Sequence, residues 1–273
     1  MLDLAPYVDL ALVWGGLIAV AVYLYVMLDG FDLGVGILFP FAPSDKCRDK
    51  MMNSIAPFWD GNETWLVLGG GGLFAAFPLA YAIVMPALYM PLILMLIALI
   101  FRGVAFEFRF KASLQNRYIW DMCFHYGSLF AAFSQGMILG AIVQGFAVED
   151  RQFAGGAFDW LTAFSMMTGM AVTVGYAMLG STWLIMKTDG ETHDWARKNS
   201  IYFLTFVLFF MGLVSIWVPF LANNIEERWF SWPGFLYLVP IPIISLGITM
   251  RLIETVYFGE RDYMPYLMTV LLF

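Results

Sequence analysis

The chain has 273 residues, of which 61% are hydrophobic and only 13% charged, with a net charge of −7 and a mean hydropathy of +0.76. That composition leaves too little polar surface to wrap a soluble globule of this size, so it excludes an ordinary soluble domain and predicts an all-α, polytopic membrane helical bundle. Nucleotide-binding loops, nucleophile triads and dithiol motifs are absent, and no nucleic-acid partner is expected.

Apolar runs bounded by polar loops predict helices at Val8–Pro40, Ser54–Phe77, Tyr81–Phe108, Tyr118–Val148, Phe158–Met186, Ser200–Leu221 and Pro233–Glu254, with an eighth starting near Met264. All belong to one transmembrane domain, 1–273. The second and third runs meet around Pro78, which implies a very short turn. The last run stops at Phe273 within apolar sequence, so a C-terminal truncation is expected. The opening residues Met1–Tyr7 carry no positive charge and no cleavage site follows them, so no cleaved signal peptide is expected.

Lysine and arginine alternate strongly between loops. The first, third, fifth and seventh loops with their helix ends hold 12 of the 14, including Lys46, Arg48 and Lys50. By the positive-inside rule the N-terminus lies outside and these three lie in the cytoplasm, in contact with a lipid bilayer on the membrane side.

Two carboxylate pairs interrupt this apolar pattern. Asp29 and Asp32 sit late in the first run, and Asp60 and Glu63 sit early in the second, so both pairs fall in the cytoplasmic half of the membrane. A charged group at the centre of a bilayer helix costs roughly 2.5–3.5 kcal/mol on insertion scales, so these acids need a partner or a task. Spacing of three residues puts each pair on one helix face. The third run ends in Phe101-Arg-Gly-Val-Ala-Phe-Glu-Phe-Arg109, which brings Arg102 and Glu107 to similar depth. The expectation is a polar cluster on three adjacent helices. In one reading Arg102 neutralises acids and pins the helices; in the other a desolvated carboxyl exchanges protons with the cytoplasm. One arginine cannot neutralise four or five acids, which favours at least one protonated carboxyl.

Small residues recur at four-residue spacing in Gly30/Gly34, Gly136/Gly140 and Ala171/Gly175, and Gly69–Gly72 form a run of four glycines. Close helix approach is expected at the former and a bend or very tight packing at the latter. The only histidines are His125, inside the fourth run, and His193, in a loop, so no histidine pair is available for haem and His125 reads as a hydrogen-bonded interface residue. The two cysteines, Cys47 and Cys123, read as unpaired small residues without metal-binding spacing.

The stretches Asp29-Gly-Phe-Asp-Leu-Gly-Val-Gly36, Asn53-Ser-Ile-Ala-Pro-Phe-Trp-Asp-Gly-Asn62, Phe74-Ala-Ala-Phe-Pro78 and Phe101–Arg109 closely resemble subunit II of the cytochrome bd-type quinol oxidases. The resemblance spans most of the chain. It implies nine transmembrane helices in the complete subunit, two four-helix bundles plus one, of which this chain would lack the ninth and most of the eighth. It also implies a heterodimer with a haem-bearing subunit I that carries the quinol site, two haems b and one haem d, together with a small accessory subunit, in the bacterial cytoplasmic (inner) membrane. No cofactor or metal would be ligated by this chain. Such a complex oxidises quinol and reduces O2 to water with cytoplasmic protons. The resemblance assigns Asp60, Glu63, Asp29 and Asp32 to a proton pathway, with Asn62, Trp65, Arg102 and Glu107 supporting the polar cluster or a channel. Phe58 stands where some members have His, Glu63 replaces a Gln, and the segment Ala222–Trp232 is short, features similar to the cyanide-insensitive branch. The other function classes open to these residues are a proton-coupled transporter and a purely structural partner subunit.

Overall fold

The computed structural model describes residues 9–221, 229–259 and 261–273. Met1–Tyr7 and most of Ala222–Trp232, on which two of the sequence expectations rest, lie outside the described residues.

Helix α1 (Leu10–Leu38) starts where Asp9 accepts hydrogen bonds from the amides of Ala11 and Leu12 at 2.9 and 3.3 Å, satisfying donors that the first turn leaves free. Its first half is largely exposed, whereas every residue from Asp29 to Leu38 is buried. A short helix, α2 (Asp45–Ile55), capped by Ser44, crosses the loop and leads into α3 (Trp59–Ala76). Only Phe77 separates α3 from α4 (Pro78–Ala87), the short turn expected at Pro78.

The expected third span does not form one helix. It breaks at Leu88 into α4 and α5 (Tyr89–Arg109). Pro86 and Pro91 flank the break, and each lacks an amide for the helical ladder. Helix α6 (Arg117–Gln144) ends at Gly145, whose φ of +82° suits a residue without a side chain. The fourth run therefore stops short of Val148, and Val148–Glu149 instead pairs antiparallel with Gln152–Phe153 in a tight hairpin.

Helix α7 (Ala163–Lys187) opens with a reciprocal cap: Thr162 Oγ1 accepts from the Ser165 amide at 3.0 Å, and Ser165 Oγ accepts from the Thr162 amide at 2.9 Å. Helix α8 (Glu191–Trp217) begins about two turns before the expected Ser200, because the polar residues after Gly190 continue the helix beyond the apolar stretch. Helices α9 (Gly234–Leu238), α10 (Pro240–Phe258) and α11 (Tyr263–Leu272) complete the described fold. Among the described residues six helical segments are long and apolar enough to cross a membrane, in α1, α5, α6, α7, α8 and α9–α10, and α4 and α11 are shorter apolar helices.

Helix α7 is the hub. It packs against α1, α6, α8 and α11, while α1 also contacts α3 and α6, and α5 lies along α6. A Cβ on Gly34 would lie 1.8 Å from the Tyr176 carbonyl oxygen, and one on Gly180 would lie 2.4 Å from the Gly34 carbonyl carbon, so the backbones of α1 and α7 touch. Gly136 and Gly140 allow the same approach of α6 to Thr168 and Ser165 of α7. The four glycines of α3 do not break it: the helix is continuous, and Gly69 and Gly72 pack on Val22 and Ile18 of α1. Phe31, stacked on Trp183 at 3.9 Å, anchors the main core between α1 and α7. A smaller core of Met178, Leu204, Val207, Leu252 and Val256 joins α7, α8 and α10. There Arg197 of α8 donates to the carbonyls of Val256 and Gly259 at 2.9 and 2.8 Å, closing the C-terminal end of α10.

Candidate functional site

The buried end of α1 presents Asp29 and Asp32 to α3 and α5, and Arg102 of α5 answers both. Its Nη1 lies 2.7 Å from Glu63 Oε1 and 3.3 Å from Asp29 Oδ1, and its Nη2 lies 3.9 Å from Asp32 Oδ2. Asn62 completes the group: its Nδ2 donates to Asp32 Oδ2 at 2.6 Å and to the Leu28 carbonyl at 3.1 Å. Asp29, Asp32 and Arg102 are buried to within 1%. Three helices thus bring Asp29, Asp32, Asn62, Glu63 and Arg102 together.

Helix geometry explains why these side chains meet. On α1 a spacing of three residues puts both aspartates on one face, and on α3 the adjacent Asn62 and Glu63 divide between Asp32 and Arg102. Gly127 of α6 lets α5 sit close: a Cβ there would lie 2.9 Å from the Arg102 amide nitrogen. Such contact fixes the backbone that carries the guanidinium.

Exposure is graded across the acids. Asp60, in the first turn of α3, is exposed; the Glu63 side chain is 29% exposed; Asp29 and Asp32 are closed off. Asp60 makes no ion pair among the described residues. Trp65 is half-buried on α3. Glu107 stands apart from the buried group: it is exposed and faces Lys111, just past the end of α5, at 3.8 Å. Its expected place at the depth of Arg102 is corrected by the helix, which carries it about five residues further toward the end of α5 and onto the exposed side.

Two polar groups escaped the sequence reading. In the first, Gln135 of α6 donates through Nε2 to the Tyr25 hydroxyl at 2.6 Å and accepts at Oε1 from the Tyr176 hydroxyl at 2.7 Å. Tyr25 lies one helical turn before Asp29, a spacing visible in sequence, but nothing there pairs Gln135 with α1 and α7. In the second, the buried Arg109 donates to Asp49 at 2.5 Å and to Asp121 at 2.6 Å, with its guanidinium 5.1 Å from the Phe39 ring centre. This pair of bonds ties α2 to α5 and α6.

His125 directs Nδ1 to the Gly36 carbonyl at 3.3 Å, the hydrogen-bonded interface role expected of it. His193 sits between Asp194 and Asp262, at 3.0 and 3.2 Å. The two imidazoles occupy separate helices with separate partners, so the residues present do not form an axial haem pair. Among the described residues no three His, Cys, Asp or Glu side chains converge as metal ligands.

In an apolar surround three carboxyls share one guanidinium. Such a group can pin helices, exchange protons, or do both, because charge balance leaves more acids than cations.

The sequence model of the family described as "Cytochrome bd terminal oxidase subunit II" matches residues 10–273. Cytochrome bd-I ubiquinol oxidase subunit 2 of Escherichia coli (strain K12) is 36% identical over 222 residues, 78% of this chain and 58% of that protein. Cytochrome bd ubiquinol oxidase subunit 2 of Bacillus subtilis (strain 168) is 36% identical over 188 residues, 68% of this chain and 56% of that protein. The probable cytochrome oxidase subunit 2 of Haemophilus influenzae is 32% identical over 219 residues, 78% of this chain and 58% of that protein. The chain therefore spans a little over half the length of these relatives.

Proposed function

Because this chain belongs to the cytochrome bd terminal oxidase subunit II family and is a multi-pass membrane protein, we propose that it acts as the proton-supplying and stabilising partner of a haem-bearing subunit I. In this reading the complex oxidises quinol and reduces O2 to water in the bacterial cytoplasmic membrane. The two haems b and the haem d belong to the partner, where they supply the electron transfer and oxygen chemistry. A small accessory subunit completes the assembly.

The observation that carries the proposal is the graded exposure from Asp60 through Glu63 to Asp29 and Asp32. With the loop charges placing Lys46, Arg48 and Lys50 in the cytoplasm, Asp60 stands at the cytoplasmic mouth. It takes up a proton there and passes it inward to Glu63. Glu63 exchanges it with the buried pair, and Arg102 balances whichever carboxyl is charged at that moment. Asn62 holds Asp32 in place, and half-buried Trp65 borders the path. Glu107, paired with Lys111, contributes surface charge on the same side.

The test is turnover in the assembled complex. Asp60→Asn and Glu63→Gln slow quinol-driven oxygen consumption by about tenfold or more, the scale of losing a positioned proton donor, while the visible haem spectrum stays that of the parent. Parent-level turnover in an assembled, haem-replete Asp60→Asn complex sinks the proposal. A second reading has its own support: Arg102 bridges α1 and α3 from α5, which suits a purely structural partner. It predicts that neutralising any of these acids lowers the yield of complex and leaves turnover per haem unchanged.

A further inference from the structure

Away from the acid cluster, the start of α8 and the end of α10 frame a cavity of about 450 Å³. Arg197 and Lys198 of α8 line it, with Tyr202 one turn further along the helix. The guanidinium of Arg197 is already fixed in place: Nε donates to the Val256 carbonyl at 2.9 Å, and Nη2 to the carbonyls of Gly259 and Thr255 at 2.8 and 3.4 Å. Carbonyls are neutral, so the unit charge remains, and Nη1 keeps two donor protons with no partner among the described residues. Lys198 is exposed and makes no ion pair among the described residues. Asp194 is the one acid among the described residues on this wall; it lies a turn nearer the start of α8 and is engaged by His193 at 3.0 Å. Two cations against one acid leave the recess net positive.

The rest of the wall is apolar or aromatic, supplied by Ile201, Val256 and Tyr257. Steps of three and four residues carry the same stripe of α8 from Lys198 through Ile201 and Leu204 to Leu208. Leu204 belongs with Leu252 of α10 to the smaller core, and beyond them an apolar cleft of about 500 Å³ opens between the same two helices, with Leu208, Met211 and Leu246 on its walls. Lys198 and Leu208 are separated by about 15 Å of helix, half the hydrocarbon thickness of a bilayer. One acyl chain of a single leaflet spans that distance.

We propose that this recess binds the headgroup of an anionic phospholipid of the cytoplasmic leaflet, with its phosphate between Arg197 Nη1 and Lys198 Nζ and one acyl chain along the groove between α8 and α10. Charge complementarity selects the occupant. The loop charges put these ends of α8 and α10 on the cytoplasmic side, where the leaflet surface is negative. A guanidinium held by carbonyls needs no reordering to receive a phosphate, and Lys198 adds a mobile point charge. Tyr202 and Tyr257 are exposed at that depth, where aromatic residues border lipid headgroups. A lipid so placed bridges α8 and α10, whether or not the buried acids move protons.

The test uses the complex as purified from membranes, held in phosphatidylcholine nanodiscs with increasing shares of phosphatidylglycerol, and follows hydrogen exchange in residues 194–202 and 255–259. Phosphatidylglycerol should slow exchange in both segments of the parent. In Lys198→Gln the share needed for half of that protection should rise roughly fivefold, and in Lys198→Glu, which reverses the charge, about 25-fold, the factors for one and two units of charge at a membrane surface. Arg197 also caps α10 and is left in place. Arg251→Gln is the control: its cation is paired with Glu254 on another face of α10, and the midpoint should not move. Equal midpoints in the parent and Lys198→Gln overturn the proposal. So does full protection in phosphatidylcholine alone, which means a chain held without its headgroup. Protection by inorganic phosphate in the absence of phosphatidylglycerol overturns it in favour of a soluble anion, and protection that no lipid alters overturns it in favour of a protein segment covering the cleft.

Discussion

The guanidinium of Arg102 on α5 reaches Glu63 on α3 at 2.7 Å, although the residues are 39 apart in sequence and their helices are joined through α4. The same guanidinium reaches Asp29 and Asp32 on α1.

Removing Arg102 leaves three carboxyls facing one another in an apolar pocket. Breaking a buried pair from one side costs about 3–5 kcal/mol, so Arg102→Leu should abolish accumulation of the assembled complex. Arg102→Lys, which keeps the charge but loses the fork that sets Nη1 on Glu63 and Asp29 and Nη2 toward Asp32, should assemble with a lower midpoint of thermal unfolding. Haem content of purified membranes and a thermal scan in detergent read both outcomes.

The contact of α1 with α7 at Gly34 admits no side chain. Gly34→Ala places a methyl group against the Tyr176 carbonyl, a backbone atom that cannot move aside, so the loss should reach the upper end of the roughly 1–3 kcal/mol for overpacking. Gly212→Ala on α8, where nothing lies within 4 Å, should be neutral or stabilising by up to about 1 kcal/mol. Equal midpoints for the two variants would contradict the packing described.

Arg109 fastens the loop helix α2 through Asp49. Asp49 is partly exposed, so Asp49→Asn should weaken the attachment by about 1 kcal/mol without unfolding the bundle. Hydrogen exchange should speed up in residues 45–55 and remain slow in α5 and α6. Unchanged exchange in α2 would mean that the ion pair is not what holds it.

On the same side of the bundle Lys50 hydrogen-bonds and attracts Asp189, holding its carboxyl below the usual carboxylate range. A depressed value in the folded state adds stability above the unfolded value and loses it as pH falls through the folded one. The contact between α2 and the α7–α8 turn should therefore survive to below the ordinary range of an aspartate, and Lys50→Gln should raise its release to that range. Exchange rates of the amides in residues 187–191, followed against pH, show the shift; salt should reduce it, because Asp189 is exposed.

Much of this architecture was legible in the chain. Hydrophobic runs of bilayer length exposed most of the helices, alternating basic loops set the orientation, and the energetic penalty of buried charge singled out Asp29, Asp32, Asp60 and Glu63, with Arg102 as their counter-charge. Those are local properties, written in neighbouring residues. The break at Leu88 was harder to read, since the prolines sit inside an unbroken apolar stretch and hydropathy does not register a missing amide. Gln135 was invisible for a different reason. A lone amide in an apolar run has no partner within its own helix, and only the approach of α1, α6 and α7 at their glycines brings Tyr25 and Tyr176 around it. The sequence by itself determined that acids and a cation would be buried together. Tertiary packing decided which carboxyls share Arg102 and left Asp60 at the surface and Glu107 beside Lys111, because hydrogen bonds between helices depend on crossing position and axial rotation, which no single helix encodes.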